Sequence, residues 1–255
     1  MKYSDIDRDF HNIIGRDYDS VVVDPRRLAN SFIFDVMRPL LPEQRENMLD
    51  LGCGTGQATL AFADTFANCV LVDHSASMLA AASANLSKRL GASGGSLVQY
   101  KFIESDFQGY FSGPYVHNHF DAVFCVGFFH HIAPSDRVAL LRSITRVMAP
   151  GSRLFVADPV YTDATEPKLL SHWNAKFRSS FTVPWAGVTE PQEAPLYLAD
   201  FLFEAESVGL VPIFKRRYFE IFPRFNSWLD FLPTWFFSQF GRSSALIFSG
   251  VFKKK

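Results

Sequence analysis

The sequence is poor in cysteine, and this scarcity excludes a disulfide-rich scaffold. Among its 255 residues there are only three cysteines, Cys53, Cys69 and Cys125, which are far apart and form no CxxC pair. Each lies in or beside an apolar stretch, as is typical of the reduced core thiols of cytoplasmic proteins. We therefore expect a cytoplasmic protein without disulfides, and we predict no metal site.

An excess of charge of one sign is also absent. The chain has 25 basic and 26 acidic residues, for a formal net charge of −1, and its basic residues are scattered. Proteins that bind nucleic acid usually concentrate basic residues on one face, so we predict no nucleic-acid partner. The N-terminal segment MKYSDIDRDF is too polar for a signal peptide, and no apolar run is long enough to cross a bilayer. We therefore predict no integral membrane association.

Apolar residues, by contrast, make up 48% of the chain and include 27 phenylalanines, enough for a substantial core. Short apolar stretches alternate with segments of helical periodicity. We predict strands at residues 48–51, 69–73, 120–128 and 153–158, with one more in LVQYKFIESDF, and helices at residues 57–67 and 75–90. A further helix begins after Ser135, its predicted N-cap, and ends at Pro150.

Short apolar strands separated by helices are typical of a parallel sheet covered on both faces. A helix at about 196–207 precedes two more strand-like stretches, VPIFKRRYFEIF and SALIFSGVF, which we expect to close the sheet as an antiparallel edge pair. We divide the chain into an N-terminal helical arm, residues 1–45, and a main domain, residues 46–255. Insertions in that domain are predicted at residues 159–195 and 223–241.

A glycine cluster follows the first predicted strand, in the stretch NMLDLGCGTGQATL at residues 47–60. Because glycine has no side chain, such a turn lets a ligand approach the backbone closely. The phosphate-binding pattern GxxxxGK[ST] fails, since Gln57 and Ala58 stand where it needs glycine and lysine. The dinucleotide pattern GxGxxG also needs glycine at position 57, so that interpretation is weakened but stays open.

The turn and four later stretches resemble, in the same order, the motifs of class I S-adenosylmethionine-dependent methyltransferases. The matching stretches, which span residues 48–158, are LDLGCGTG, VLVDHSASML, IESDF, FDAVFCVGFFHHI and RVMAPGSRLFVAD. This resemblance implies an α/β, Rossmann-like, doubly wound sheet of seven strands, mostly parallel with an antiparallel last strand and with helices on both faces. It also implies S-adenosylmethionine as the cofactor and S-adenosylhomocysteine as the product.

The resemblance also assigns cofactor-binding residues, position by position. Asp73 ends the second strand, where its carboxylate would accept the ribose hydroxyls; the alternative is that it only caps the next helix. Asp106 would accept the adenine amino group unless it is a solvated loop acid, and Met78 would flank the adenine unless it belongs to the core. The complete predicted set is Arg16, Tyr18, Asp50, Gly52, Cys53, Gly54, Gly56, Asp73, His74, Met78, Ser105, Asp106, Phe107 and Val126.

The N-terminal arm precedes the core where many relatives in this family carry a lid. Tyr18 would close over the cofactor sulfonium, and Arg16 would meet the cofactor carboxylate. The alternative is that the arm packs on the core without touching the cofactor.

Methyl transfer to a hydroxyl benefits from a general base, and ligands in this type of sheet bind past the carboxyl ends of the strands. His130 and His131 follow the fourth strand and Tyr161 follows the fifth, so these three are our candidate catalytic residues. Histidine near position 131 is frequent across the family whatever the substrate. We therefore favour a structural role for His131.

Aromatic residues crowd the two insertions, and we predict that they line an apolar or aromatic acceptor pocket under a mobile cover. A homodimer interface and a membrane-surface segment are the alternatives. The predicted substrate-binding residues are His130, Tyr161, Trp173, Phe177, Trp185 and Trp235.

The acceptor itself is narrowed by motifs that the sequence lacks. There is no [DNS]PP[YFW] motif, which relatives acting on adenine or glutamine nitrogen carry, and no Pro-Cys of the cytosine C5 enzymes. We predict a small, apolar or aromatic acceptor methylated on oxygen. Methylation on nitrogen or carbon, and a non-methylating reaction such as cyclisation on the same fold, remain as alternatives.

Overall fold

A seven-stranded sheet forms the centre of the molecule, seen in a computed structural model that describes residues 3–24, 27–62, 64–93, 98–114, 119–160, 182–183, 188–189, 196–219 and 246–254. Its strands are β1 (Asn47–Leu51), β2 (Asn68–Asp73), β3 (Gln99–Glu104), β4 (Phe120–Val126), β5 (Met148–Val160), β8 (Leu210–Phe219) and β9 (Leu246–Lys254). A separate short ribbon pairs β6 (Thr182–Val183) with β7 (Val188–Thr189).

Helices precede and connect these strands. They are α1 (Tyr3–Ile14), α2 (Arg27–Met37), α3 (Gln57–Phe62), α4 (Ala76–Ser93), α5 (Phe107–Ser112), α6 (Pro134–Val147) and α7 (Leu198–Ser207). A π-helical turn at Asp19–Val23 follows α1, and 3₁₀ turns occupy Arg38–Leu40 and Phe129–His131.

The strand order in the sheet is β3-β2-β1-β4-β5-β9-β8. Strands β1 to β5 pair in parallel, whereas β9 runs antiparallel to both β5 and β8. This arrangement confirms the predicted Rossmann-like sheet with its antiparallel last strand. Because the order reverses between β1 and β4, the carboxyl ends of these strands flank the crevice in which this type of sheet binds ligands.

Both faces of the sheet are covered, because successive side chains along a strand point to opposite faces. In β4, Val123 and Cys125 belong to the apolar core on one face, while Ala122 and Phe124 belong to the core on the other. Phe124 stacks on Phe155 of β5 with ring centroids 4.5 Å apart. The predicted coverage by helices on both faces is thereby confirmed.

Several predicted boundaries were wrong by a few residues. Helix α3 ends at Phe62 rather than at residue 67, and α6 ends at Val147 because β5 already begins at Met148. Ser135 is not an N-cap: Ala133 occupies that position and Pro134 begins the helix. Proline suits the first helical position because its fixed φ is helical and its missing N–H is not needed there.

The N-terminal arm lies against the main domain. Ile33, Phe34 and Met37 of α2 join the core on one face of the sheet, and α1 packs on α4. The two predicted insertions fall largely outside the described residues, although β5 extends to Val160 and so includes the predicted start of the first. Among the described residues, no helix is both long and apolar enough to cross a membrane.

Candidate functional site

The glycine turn after β1 adopts a backbone that other residues rarely take up. Gly52, Gly54 and Gly56 all have positive φ, at 68°, 51° and 83°. A Cβ atom on Gly52 would collide with the ring of Phe128, whereas one on Gly54 would meet no heavy atom within 4 Å. Gly52 is therefore needed for packing, and Gly54 leaves its backbone open to a ligand.

Asp73, at the end of β2, faces this turn. Its side chain is buried, with Oδ2 accepting the Gly54 N–H at 2.8 Å and Oδ1 accepting the Ser75 N–H at 2.9 Å. The carboxylate therefore joins the turn to the start of the following helix. Because each carboxylate oxygen has two lone pairs, acceptor capacity for ligand hydroxyls remains.

Asp50 and Cys53 lie beneath the turn. The Asp50 carboxylate accepts hydrogen bonds from the Thr59 backbone N–H and hydroxyl, at 3.1 Å and 2.6 Å, and so holds the first turn of α3. Burial raises the pKa of Asp50 to about 6, against the opposing effect of these two bonds. Burial also raises the pKa of the Cys53 thiol well above its ordinary value, which favours the protonated, less nucleophilic thiol.

The residues that we predicted to contact the cofactor from the loop after β3 are Ser105, Asp106 and Phe107. Asp106 is exposed and is the N-cap of α5, with Oδ1 accepting the Gly109 N–H at 2.6 Å. Ser105 donates its N–H to the Asp73 carbonyl at 2.9 Å, which brings this loop next to the end of β2. Phe107 and Val126 are partly buried and pack against the core.

The arm contacts the glycine turn through Asp19, a residue that the sequence did not single out. Asp19 Oδ1 accepts the Thr55 hydroxyl at 2.5 Å, and Oδ2 accepts the Asn85 side-chain amide at 2.6 Å. Gln57, which excluded the phosphate-binding pattern, also reaches Asp19 at 3.4 Å. The arm is thus tied to the turn at the residue between two of its glycines.

The arm also carries Arg16 and Tyr18, and it packs against Met78 of α4. Met78 is buried with Phe10 and Ile14 of α1, and Tyr18 packs against this group. Arg16 is exposed. The contacts of Met78 are thus with the arm, and its predicted place beside the adenine stays a prediction.

His130 forms a buried dyad with Asp158, which ends the predicted fifth strand. The His130 Nδ1 atom lies 2.7 Å from Asp158 Oδ1, and the Asp158 side chain is fully buried. Asp158 also accepts the backbone N–H groups of Phe128, Phe129 and His130, at 3.2 to 3.4 Å. With Nδ1–H donating to this carboxylate, Nε2 is left as the basic nitrogen of the imidazole.

His131 points elsewhere, into a cluster formed with α1. Its Nδ1 atom lies 3.1 Å from Asp7 Oδ1, and Asp7 also faces His11 and His74 at 3.5 Å and 3.3 Å. Burial alone would raise the Asp7 pKa, but the three imidazoles outweigh it and hold that pKa well below its ordinary value. Burial lowers the pKa of His11, partly offset by Asp7. These contacts join His131 to the arm, and the structural role that we favoured for it stays a prediction.

The remaining predicted catalytic and substrate residues lie outside the described residues. They are Tyr161, Trp173, Phe177, Trp185 and Trp235. Their predicted roles, and the homodimer through the aromatic insertions, stay predictions.

Known proteins resemble this chain in sequence over its central part. Residues 48–151 match the family model described as a methyltransferase domain. An O-methyltransferase from Pyrenophora dematioidea is 27% identical over 146 residues, 56% of this chain and 51% of that protein. The O-methyltransferase resE from Aspergillus sclerotiorum is 31% identical over 142 residues, 54% of this chain and 48% of that protein. The chain thus spans about half the length of these curated relatives.

Solved structures resemble it over most of its length. Magnesium protoporphyrin IX methyltransferase from Synechocystis PCC 6803, crystallised with bound S-adenosylhomocysteine, superposes with a TM-score of 0.62 at 15% identity, covering 99% of this chain and 100% of that one. The [4+2]-cyclase SpnF superposes with a TM-score of 0.57 at 18% identity, covering 88% and 80%. At these identities the likeness concerns the fold.

Proposed function

We propose that this chain, whose residues 48–151 match a methyltransferase domain, transfers a methyl group from S-adenosylmethionine to a hydroxyl of a small, apolar or aromatic acceptor. The other product is S-adenosylhomocysteine. The observation that carries the hydroxyl assignment is the His130–Asp158 dyad at the carboxyl ends of β4 and β5. A hydroxyl must lose its proton on methylation, whereas many other acceptors need no base.

The turn and β2 fit the cofactor. Gly54 offers an open backbone position with no heavy atom within 4 Å of a Cβ placed there. Asp73 stands beside it with acceptor capacity for two ribose hydroxyls. Asp106 uses one oxygen to cap α5, and its other oxygen would accept the adenine amino group. Tyr18 and Arg16 remain our candidates for closing over the methionine end.

When bound, S-adenosylmethionine supplies a methyl group already activated on a sulfonium. The protein then has to orient the acceptor, a contribution of about 7 to 11 kcal/mol in well-oriented systems, and to remove its proton. His130 accepts that proton at Nε2. The buried Asp158 carboxylate fixes the tautomer through Nδ1 and stabilises the resulting imidazolium, so it positions the base rather than touching the acceptor.

The relatives support transfer to oxygen, since the matched proteins from Pyrenophora dematioidea and Aspergillus sclerotiorum are both named O-methyltransferases. The likeness to the cyclase SpnF supports one rival, a non-methylating reaction on the same fold. Methylation on nitrogen or carbon is the other. Stoichiometric S-adenosylhomocysteine with a methylated acceptor supports transfer, whereas product formation without S-adenosylhomocysteine supports the rival.

The proposal is tested by incubating the full chain with S-adenosylmethionine and paired phenols, aliphatic alcohols and amines, and measuring S-adenosylhomocysteine and methylated products by mass spectrometry. We expect methyl ethers, and we expect His130→Ala to lower kcat by about 10²- to 10⁴-fold without changing cofactor affinity. His119→Ala is the matched control, because His119 is exposed. Methylated amines from the unmodified protein without any ether would contradict the hydroxyl assignment.

Cofactor binding is tested separately by calorimetry with S-adenosylmethionine, NAD and ATP. Each charge-assisted bond from Asp73 contributes about 1.5 to 3 kcal/mol, so Asp73→Ala should weaken S-adenosylmethionine by roughly 10- to 100-fold. The control is Asp64→Ala, since Asp64 is largely exposed and pairs with Arg89. Tight binding of NAD alone, or an unchanged affinity in Asp73→Ala, would overturn the assignment.

A further inference from the structure

Three metal-ligating side chains from two distant parts of the sequence converge beside the end of β2. Asp7 and His11 lie one helical turn apart on the same face of α1, and His74 follows Asp73 directly. One potential ligand atom of each residue lies within 4.8 Å of the others. Asp7 is 3% exposed, so this cluster is shielded by the arm.

The distance between Asp7 and His74 matches that between two ligands of a small divalent ion. Metal–nitrogen and metal–oxygen bonds of about 2.0 to 2.1 Å place neighbouring ligand atoms about 3.3 Å apart in a tetrahedral site. Asp7 Oδ2 lies 3.3 Å from His74 Nε2. His11 Nδ1 donates to the Asp7 backbone carbonyl at 2.8 Å, so His11 would bind an ion through Nε2, with its other ring nitrogen oriented by a backbone carbonyl as in many metal sites.

Two buried polar atoms of the cluster support a ligand between them. Among the described residues, neither Asp7 Oδ1 nor His74 Nε2 makes a hydrogen bond, although both atoms are inaccessible to solvent. Buried polar atoms are nearly always satisfied by a hydrogen bond or an ion. The ring of His131, 3.1 Å from Asp7 Oδ1, is placed to hold the carboxylate from outside, as residues next to metal ligands commonly do.

The backbone around the cluster is held in place without the ion. Asn12 Oδ1 accepts the Ser75 hydroxyl at 2.8 Å, and the Asn12 carbonyl accepts the Ser77 hydroxyl at 2.9 Å. These bonds fix α1 to the start of α4 just after His74. A ligand set supported in this way loses little conformational freedom on binding.

We propose that Asp7, His11 and His74 bind one divalent transition-metal ion, which clamps α1 to the end of β2 beside Asp73. Imidazole and carboxylate ligands suit Zn²⁺ and its first-row neighbours, and a set of three leaves further coordination positions open. The proposal goes beyond methyl transfer and requires neither cofactor nor acceptor. It revises our sequence-based expectation of no metal site. That expectation arose because His74 is far from Asp7 and His11 in the sequence and the three form no local metal-binding motif.

The test uses the full chain without a histidine tag, stripped with EDTA and titrated with Zn²⁺ by calorimetry. We expect one ion per chain and at least tenfold weaker binding in both Asp7→Asn and His74→Gln. Asp9→Asn is the matched control on the same helix, because Asp9 is exposed and contacts Arg8, and His119→Gln is the control for histidine. Both controls should bind within twofold of the unmodified protein.

Absorption of bound Co²⁺ in the unmodified protein provides a second readout that does not depend on the variants folding. Bands shifted from those of the aqueous ion indicate ligation by the protein, and a spectrum identical to that of the aqueous ion would overturn the proposal. Absence of stoichiometric Zn²⁺ binding, or binding that Asp7→Asn and His74→Gln leave unchanged, would overturn it as well. Because no S-adenosylmethionine is present, failure here leaves the methyltransferase proposal untouched.

Discussion

Replacing Asp158 by asparagine removes one charge from the dyad while keeping the shape of the side chain. Asp158 accepts four hydrogen bonds, one from the His130 ring and three from backbone N–H groups. The amide of asparagine has only one acceptor oxygen, and we expect it to stay with the two backbone N–H groups that Oδ2 now serves, because these donors cannot change. The NH₂ group then faces the ring, so His130 is forced into the tautomer that carries the proton on Nε2 and can no longer act as a base there.

The expected magnitude follows from these contacts. Loss of the general base lowers kcat by about 10²- to 10⁴-fold, and at least one buried N–H left without an acceptor lowers the free energy of unfolding by about 1 to 3 kcal/mol. Binding of S-adenosylmethionine should be unchanged, because Asp158 contacts the His130 loop and not the glycine turn. Asp158→Asn and His130→Ala act on one unit, so the double variant should be no slower than His130→Ala alone.

The assay is the rate of ether formation across pH, with urea unfolding as the readout of stability. The matched control is Asp121→Asn, since Asp121 is also buried and accepts two backbone N–H groups, from Glu46 and Asn47, both at 2.9 Å. This control should lose stability but keep kcat and its pH profile. A kcat for Asp158→Asn within twofold of the unmodified protein, or multiplicative losses in the double variant, would refute the dyad.

Three further predictions concern the glycine turn and its supports. Gly52→Ala should lower the free energy of unfolding by roughly 2 to 5 kcal/mol, because of the positive φ of Gly52 and the clash of the new Cβ with Phe128. Gly54→Ala should lower it by only about 1 to 2 kcal/mol and should act mainly on cofactor affinity. Urea unfolding measures the first effect and calorimetry the second. Asp19→Ala should weaken S-adenosylmethionine binding about 5- to 10-fold through the loss of arm contacts. An unchanged affinity would show that the arm does not contribute to cofactor binding. Burial raises the pKa of Asp50 to about 6, so the folded state keeps a proton that the unfolded state loses near pH 4. The free energy of unfolding of the unmodified protein therefore falls as the pH rises from about 4 to 6, and this fall amounts to roughly 3 kcal/mol. Asp50→Asn should lack this fall. Curves of stability against pH, measured by urea unfolding, that run parallel for the two proteins would contradict the prediction.

The sheet could be predicted from the sequence because its evidence is local. Continuous apolar stretches such as residues 120–126 signal strands buried on both faces, and the periodicity of residues 76–93 signals a helix. Helix ends were less predictable because several side chains can satisfy them: Ser135 looks like an N-cap, but Pro134 fits the first helical position better. The antiparallel partner of β5 followed from chain order and the resemblance rather than from any pattern in residues 246–254.

The contact between Gly54 and Asp73 was predictable for the same reason, since they stand at the ends of adjacent strands; their roles toward the cofactor stay predictions. The dyad was only half predicted. His130 was placed by its position after β4, but Asp158 lies 28 residues further on and looked like an ordinary strand end. Its role depends on the parallel pairing of β4 with β5, which brings the two strand ends together.

The contacts of the arm were beyond prediction because each joins residues with no local relationship. Asp19 meets Thr55 across 36 positions, and Asp7 meets His74 by the packing of α1 on α4. Both contacts end at or beside predicted cofactor contacts: Thr55 follows Gly54, and His74, itself in the predicted set, follows Asp73. Since any ligand that favours the docked arm must in turn be favoured by it, closure of the arm and occupancy of the cofactor site are expected to strengthen each other. The same reciprocity applies to an ion bound by Asp7. Such an ion would favour the docked arm and thereby tighten cofactor binding, although it would not touch the methyl group.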